Sequence, residues 1–217
     1  MTTSSASAFE AIPIGSHAGV RRTPTQQRSR VRRERVLDAA AAIVDRLGPE
    51  LVTTGMIAEA ARVSVGWLYD YFPNREAVFD AVVARSLDKV IPLVESVHLQ
   101  CANRPWSDVI DSVIDTLFDF YRTEPSFRVL WFSRFQSAQM IEANRRHDLA
   151  DARAAVARLE HEGLRLRGVD PEIALHLVIG IIDKGLDLAF RLDPNGHRGV
   201  VEETKSAVRA YLGTYAA

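Results

Sequence analysis

The sequence predicts an all-α fold, with three short helices near the start of the chain and a larger helical bundle behind them, about nine helices in all. Three observations carry that expectation. After residue 20, apolar residues recur at three- and four-residue spacing nearly throughout, the period of helices that bury one face. No stretch alternates apolar and polar residues as a half-buried strand does. Start and stop signals fall at the ends of the periodic segments: Thr53, Ser64, Asn74 and Asp170-Pro171 as starts, Gly48 and Gly163 as stops.

Residues 1–20 are rich in Ser, Thr, Ala and Gly, show no period, and read as a disordered tail. The first helix is expected over residues 27–47, where Val36, Ala40, Ile43 and Leu47 share a face and Gly48 closes the end. A second runs from after Thr53 to Ala61. A third runs from after Ser64 to about Phe72, joined to it by Arg62-Val63-Ser64. Pro73-Asn74 breaks the chain, and Asn74 caps a fourth helix carrying Val78, Phe79, Val82, Val83, Val90, Ile91 and Val94. Pro92 is expected to kink or split that helix, because it removes the hydrogen bond back to Asp88. Pro105 opens a fifth helix, which stops at Glu124-Pro125; a sixth covers residues 126–133 and a seventh 136–162. Pro171 begins the eighth, Asp193-Pro194-Asn195-Gly196 makes a turn, and the ninth ends near Thr214.

The chain carries 27 Lys and Arg against 28 Asp and Glu, a net charge of −1, which excludes a generally basic, histone-like protein. Contact with nucleic acid then requires a local basic patch. Residues 21–35 supply one, with seven arginines (Arg21, Arg22, Arg28, Arg30, Arg32, Arg33, Arg35) against the single acid Glu34. The lone Cys101 forms no intrachain disulfide, and the cytoplasm is the default compartment. The apolar stretch from Ile173 to Ile182 contains His176 and is too short to span a bilayer, so no membrane partner is expected. The N-terminus lacks the charged-then-apolar order of a signal peptide. No metal spacing, GxSxG, HExxH or phosphate loop stands out, so neither a metal, a cofactor nor enzymatic activity is expected.

The two short helices around Arg62-Val63-Ser64 form a helix-turn-helix candidate. Ile57, Ala61, Val63, Leu68 and Phe72 supply its inward face. Val65, Gly66, Trp67, Tyr69, Asp70 and Tyr71 are left outward on a helix only about two turns long, which is marginal unless packed. Three large aromatics there suit a surface that meets a partner. The stretch RERVLDAAAAIVDRLG…VTTGMIAEAARVSVGWLYDYFPNREAVFDAV resembles the N-terminal domain of the TetR (tetracycline repressor) family of bacterial regulators, over about residues 32–83. The resemblance implies a helix-turn-helix DNA-binding domain with a basic arm over residues 21–75 and a ligand-binding and dimerisation bundle over 76–217. It implies double-stranded operator DNA, a small-molecule effector and a second copy of the chain as partners.

By the same resemblance, Val65, Gly66, Trp67, Tyr69 and Asp70 match major-groove positions. Val65 or an aromatic edge suits a thymine methyl, and Asp70 a cytosine amine. Gly66 lets the helix backbone approach the duplex. Thr53 and Thr54 at the second helix start, Tyr71, and Arg75 at the fourth helix start match phosphate contacts. Arg28, Arg30, Arg32 and Arg33 match arms that reach the DNA backbone or minor groove. Two residues depart from the family's pattern. Arg62 stands where the family has glycine; either the turn differs, because arginine is disfavoured in the left-handed conformation, or Arg62 adds a phosphate contact. Asp70 repels the backbone unless it reads a base.

The resemblance places a ligand among the fifth to seventh helices. Candidate contacts are Phe118, Tyr121, Phe127, Trp131, Phe135 and Met140, with His147 and His176 as polar contacts. Their composition suits an apolar or aromatic ligand. Asp108, Asp111, Asp115 and Asp119 form a helical stripe that reads most simply as a solvated face. The last two helices are apolar nearly all round and need cover, which a two-fold mate supplies. Leu175, Ile179, Ile182, Leu186, Val201, Val208, Tyr211 and Leu212 are the interface candidates. The alternative is a DNA-binding architectural or partner-binding protein of the same fold with no small-molecule effector.

Overall fold

The computed structural model describes residues 24–101, 104–133, 137–138, 140–142, 155–161 and 163–216. Its helices are α1 (Pro24–Leu47), α2 (Thr54–Ala61), α3 (Val65–Tyr71), α4 (Arg75–Gln100), α5 (Trp106–Thr123) and α6 (Pro125–Trp131). Helical residues 155–161, here α7, precede α8 (Pro171–Leu192) and α9 (Arg198–Tyr215). Among the described residues the fold is all-α; an isolated bridge between Leu166 and Ala216 is the extended pairing found. The expected tail, most of the expected seventh helix, Phe135 and His147 lie outside the described residues.

Local signals act where they were expected. The side chains of Thr53, Ser64, Asn74 and Asp170 accept from the backbone N–H groups of Met56, Trp67, Ala77 and Glu172, respectively. Each satisfies a donor that the first helical turn leaves without a partner. α1 begins at Pro24, earlier than expected, so the part of the arginine-rich run from Arg28 to Arg35 is itself helical. α4 continues unbroken through Pro92. Both Pro92 and Asp88 are exposed, so water can satisfy the carbonyl that proline leaves unpaired, and the expected split does not occur.

The turn after α2 also differs from expectation. Arg62 takes the left-handed conformation (φ 54°, ψ 49°) itself. Its N–H donates to Glu59 O and the Val63 N–H to Ala58 O, both at 3.0 Å. That is the two-bond closure normally completed by glycine. The turn therefore keeps its geometry and stores the strain in Arg62, worth about 1–2 kcal/mol. Arg62→Gly is expected to raise unfolding stability by about 0.5–1 kcal/mol after the entropy of the added glycine is subtracted; denaturant titration measures it, and a loss of stability would contradict strain at this position.

A single core threads the helices. Val36, Leu37, Ala40, Ile43 and Val44 of α1 pack with Ile57, Leu68, Phe72, Val78, Phe79 and Val82. It continues through Ile114, Phe118, Phe127 and Leu130 to α8 and α9. α8 and α9 pack closely at Gly185, where an added Cβ would sit 2.1 Å from Thr204 Oγ1. This packing revises the expected dimer face. Leu175, Ile182, Leu186, Val201, Val208 and Leu212 are buried inside the protomer, and Ile179 and Tyr211 are half-buried. A helix that is apolar all round has two faces, and periodicity alone does not say which one turns inward.

The aspartate stripe on α5 is also more than a solvated face. Asp111 pairs with Arg209 of α9, and Asp115 accepts from Lys205 at 2.8 Å. Arg198 approaches Asp115 and Asp119 at 3.8 and 3.9 Å. The Lys205 side chain is only 7 % exposed; burial opposes its charge, but the hydrogen bonds to Asp115 and Glu202 prevail and its pKa lies above the ordinary lysine value. Three turns of α5 are thus held to α9 by charge.

Candidate nucleic-acid interface

α3 has seven residues, too few to persist without tertiary support. Leu68 is its buried anchor, and Phe72 just beyond it is buried too. At 100° per residue, Val65, Gly66, Tyr69 and Asp70 share the opposite face, and all four are exposed. Trp67 is half-buried against the core rather than outward as expected. It stacks on Tyr71 with ring centroids 4.4 Å apart. The stack follows from their four-residue spacing, which puts both rings on one helix flank.

Two hydroxyl contacts fix α3 to its neighbours. Tyr69 Oη lies 3.1 Å from Thr54 Oγ1 of α2. Tyr71 Oη lies within hydrogen-bond distance of Ser29 Oγ on α1. Ser29 had no sequence signal, because its contact spans 42 positions and neither residue type announces it. An ideal Cβ built on Gly66 meets nothing within 4 Å. The protomer itself therefore has room for a side chain there.

The basic residues take two positions. Arg28, Arg30, Arg32 and Arg35 are exposed on the first turns of α1, and Arg33 is half-buried. Gln27, Arg28, Val31, Arg32 and Arg35 line an open groove along that helix. Arg75, expected as a phosphate contact, is turned inward. Its Nη1 donates to the carbonyls of Val52, Pro49 and Glu50 at 3.0, 3.4 and 3.5 Å, and its Nη2 pairs with Glu76 at 2.8 Å. It clamps the loop before α2 to the start of α4. Arg75→Ala is accordingly expected to cost about 1–3 kcal/mol of stability, because it strips charge-assisted donors from part-buried carbonyls. Thermal unfolding of the variant checks this; an unchanged midpoint would rule out the clamp. Arg85 plays a similar part unforeseen from sequence, joining α4 to Asp38 and Glu34 of α1 at 2.6 and 3.4 Å.

On the effector side, Phe118, Phe127 and Met140 are core residues, each 1 % exposed. Tyr121 Oη and Trp131 Nε1 converge on the Asp183 carboxylate, at 3.2 and 3.4 Å. Trp131 stacks on Phe127, and Tyr121 meets Phe132 edge-on. His176 is exposed on α8, not within this cluster. Asp183 carries no sequence signal, because Tyr121 and Trp131 lie 62 and 52 positions away. Arg128 of α6 lies 4.2 Å over the Phe190 ring of α8 and donates to Tyr121 O at 3.4 Å. Burial pushes its pKa down, against the pull of Asp45 on α1. Asp80 of α4 accepts from the Ser137 N–H at 3.3 Å, and burial holds its carboxyl above the ordinary range. α6 and the start of the segment at Ser137 are therefore mechanically tied to α1 and α4.

A helix-turn-helix unit whose second helix exposes one face, set on a helical bundle, defines the class of protein. Residues 36–82 match the family described as bacterial regulatory proteins, tetR family, and residues 104–216 match the tetracyclin repressor-like C-terminal domain. The chain belongs to the TetR family. It is 39% identical over 61 residues to the HTH-type transcriptional repressor KstR of Mycolicibacterium smegmatis, a match covering 28% of this chain and 30% of that protein. The chain thus spans less than a third of the length of such relatives. It is 23% identical to the HTH-type transcriptional regulator BetI of Vibrio campbellii over 168 residues, covering 76% of this chain and 83% of that one. A TetR-family regulator from Streptomyces coelicolor superposes with a TM-score of 0.63 at 26% identity, covering 85% of this chain and 99% of that one. FadR from Bacillus subtilis, solved with stearoyl-CoA, shares the fold at a TM-score of 0.63 and 17% identity, over 82% and 97% of the two chains. Among the described residues no helix is long and apolar enough to cross a membrane.

Proposed function

We propose that the protein is a sequence-specific regulator of transcription that binds a pseudo-palindromic duplex as a homodimer and is released by a small apolar or aromatic ligand. The exposed α3 face, beside the arginine-rich turns of α1, carries this reading. Glycine costs a helix about 0.8–1 kcal/mol relative to alanine, and nothing in the protomer requires it at position 66. A close approach by an outside partner, here the major groove, accounts for it. Residues 21–75 act as the DNA-binding unit and residues 76–217 as the effector and pairing unit, in the cytoplasm. The role is repression, as in the KstR proteins, through occlusion of the operator.

The homodimer rests on a second set of groups. Ile173, Leu177, Leu188 and Leu192 of α8 are 65, 49, 43 and 61 % exposed and share one face with Gly180, a face that also carries the exposed cations Lys184 and Arg191. Gly180 and Gly213 of α9 also meet nothing within 4 Å of an ideal Cβ, so both leave room for close helix approach. Four exposed aliphatic residues on one helix face call for cover, and a two-fold mate gives four packed helices. The effector reading rests on the Tyr121–Trp131–Asp183 cluster and on the fold shared with the stearoyl-CoA complex of FadR. Selection of bound duplexes from a random library tests the proposal. An enriched inverted repeat with half-sites roughly 34–36 Å apart is expected, and retention that falls as a steep power of salt. Equal retention of all sequences would refute it.

A further inference from the structure

We infer that base reading by the side chains of α3 rests on Val65 and Asp70, and that Tyr69, Tyr71 and Trp67 are positioning residues that hold α3 at a fixed angle. This deepens the DNA-binding reading and rests on it. The polar tips of both tyrosines are already engaged by hydroxyls of other helices, Thr54 on α2 and Ser29 on α1. The Trp67 ring is spent on Tyr71 and the core. Of the exposed α3 face, Gly66 has no side chain. The groups left are the Val65 isopropyl and the Asp70 carboxylate, both exposed, and among the described residues Asp70 has no ion-pair or hydrogen-bond partner.

The chemistry of those two groups sets the half-site. A carboxylate only accepts hydrogen bonds. In the major groove guanine offers the acceptors N7 and O6, and thymine offers O4, so both repel it. Adenine offers a donor, but next to the N7 acceptor. Cytosine offers its N4 amine with no neighbouring acceptor on the same base, and is the base Asp70 selects. Val65 has no polar atom and packs on a thymine methyl. Five residues along a helix span about 7.5 Å, so the two bases lie within about two base-pair steps of 3.4 Å. Asp70 lowers affinity for every duplex through its charge and lowers it least where cytosine sits opposite, so it discriminates by rejection.

The test is selection from a random duplex library with the full chain and four variants, followed by affinities on the winning and singly substituted duplexes. The wild type is expected to enrich a half-site with one cytosine and one thymine at this spacing. Asp70→Asn should move the cytosine position to adenine, which an amide reads through N6 and N7, with a preference change of at least about tenfold. Val65→Ala should relax only the thymine position. Tyr69→Phe and Tyr71→Phe should keep the wild-type motif and weaken all duplexes alike, by a few-fold. If Asp70→Asn enriches the same motif and merely binds every duplex more tightly, or if either Tyr→Phe variant shifts base preference, the assignment is overturned while the DNA-binding reading stands. If the wild type enriches nothing, both fall.

Discussion

Leu177→Glu is expected to give a folded monomer whose operator affinity falls at least about 100-fold. The side chain projects from the exposed stripe of α8, between Ile173 and Gly180. Nothing in the protomer core depends on it, so its stability should stay within about 0.5 kcal/mol of wild type once subunit pairing is accounted for. At a two-fold interface each copy would instead bury one carboxylate in place of leucine, at the cost of its desolvation. With pairing lost, the second half-site is no longer held at high effective concentration, which is where an affinity loss of this size arises. Sedimentation at micromolar concentration reads the assembly, and gel-shift titration the affinity. A variant that remains dimeric and binds like wild type would exclude this face. A charge at Ile182 or Val208 would not make the same test. Both are buried within the protomer, so it would unfold the chain before it separated two chains.

That contrast marks what the sequence does and does not carry. Thr53, Ser64, Asn74 and Asp170 announce helix starts because a cap is a contact three residues long, wholly contained in local sequence. The exposed face of α3 is legible for a related reason. Leu68 and Phe72 fix the inward side of a two-turn helix, and the other side follows from the 3.6-residue period. What stays hidden is contact between residues distant in sequence. Arg75 reads as a phosphate ligand, yet it reaches back 23 to 26 positions to the carbonyls of Val52, Glu50 and Pro49. Asp111 and Asp115 read as solvated until α9 brings Arg209 and Lys205 against them. α8 is the clearest case. Ile182 and Leu177 are both aliphatic residues on an apolar helix, and only the position of α9 decides that the first is core and the second is surface.

Phe118→Ala is expected to cost about 3–5 kcal/mol of stability, the usual loss for deleting a buried aromatic. At about 2–4 °C per kcal/mol for a chain of this size, the midpoint should fall by roughly 6–20 °C. Phe118 is 1 % exposed, stacks on Phe190 at 5.3 Å between centroids, and lies 4.2 Å beneath the Arg198 guanidinium. It therefore joins α5 to both helices of the α8–α9 pair. The turn between those helices is fitted to the same ring: Gly196 has φ +92°, and a Cβ there would lie 2.3 Å from Phe118 Cε2. Gly196→Ala should thus destabilise by itself, through overlap with the ring worth about 1–3 kcal/mol in addition to the strain of a left-handed alanine. In the Phe118→Ala background the overlap disappears and the added methyl enters the void. The double variant should then be more stable than the sum of the single losses predicts, by about 1–3 kcal/mol. Denaturant unfolding of the four proteins measures that coupling. Strict additivity would show that the turn and the ring do not bear on each other.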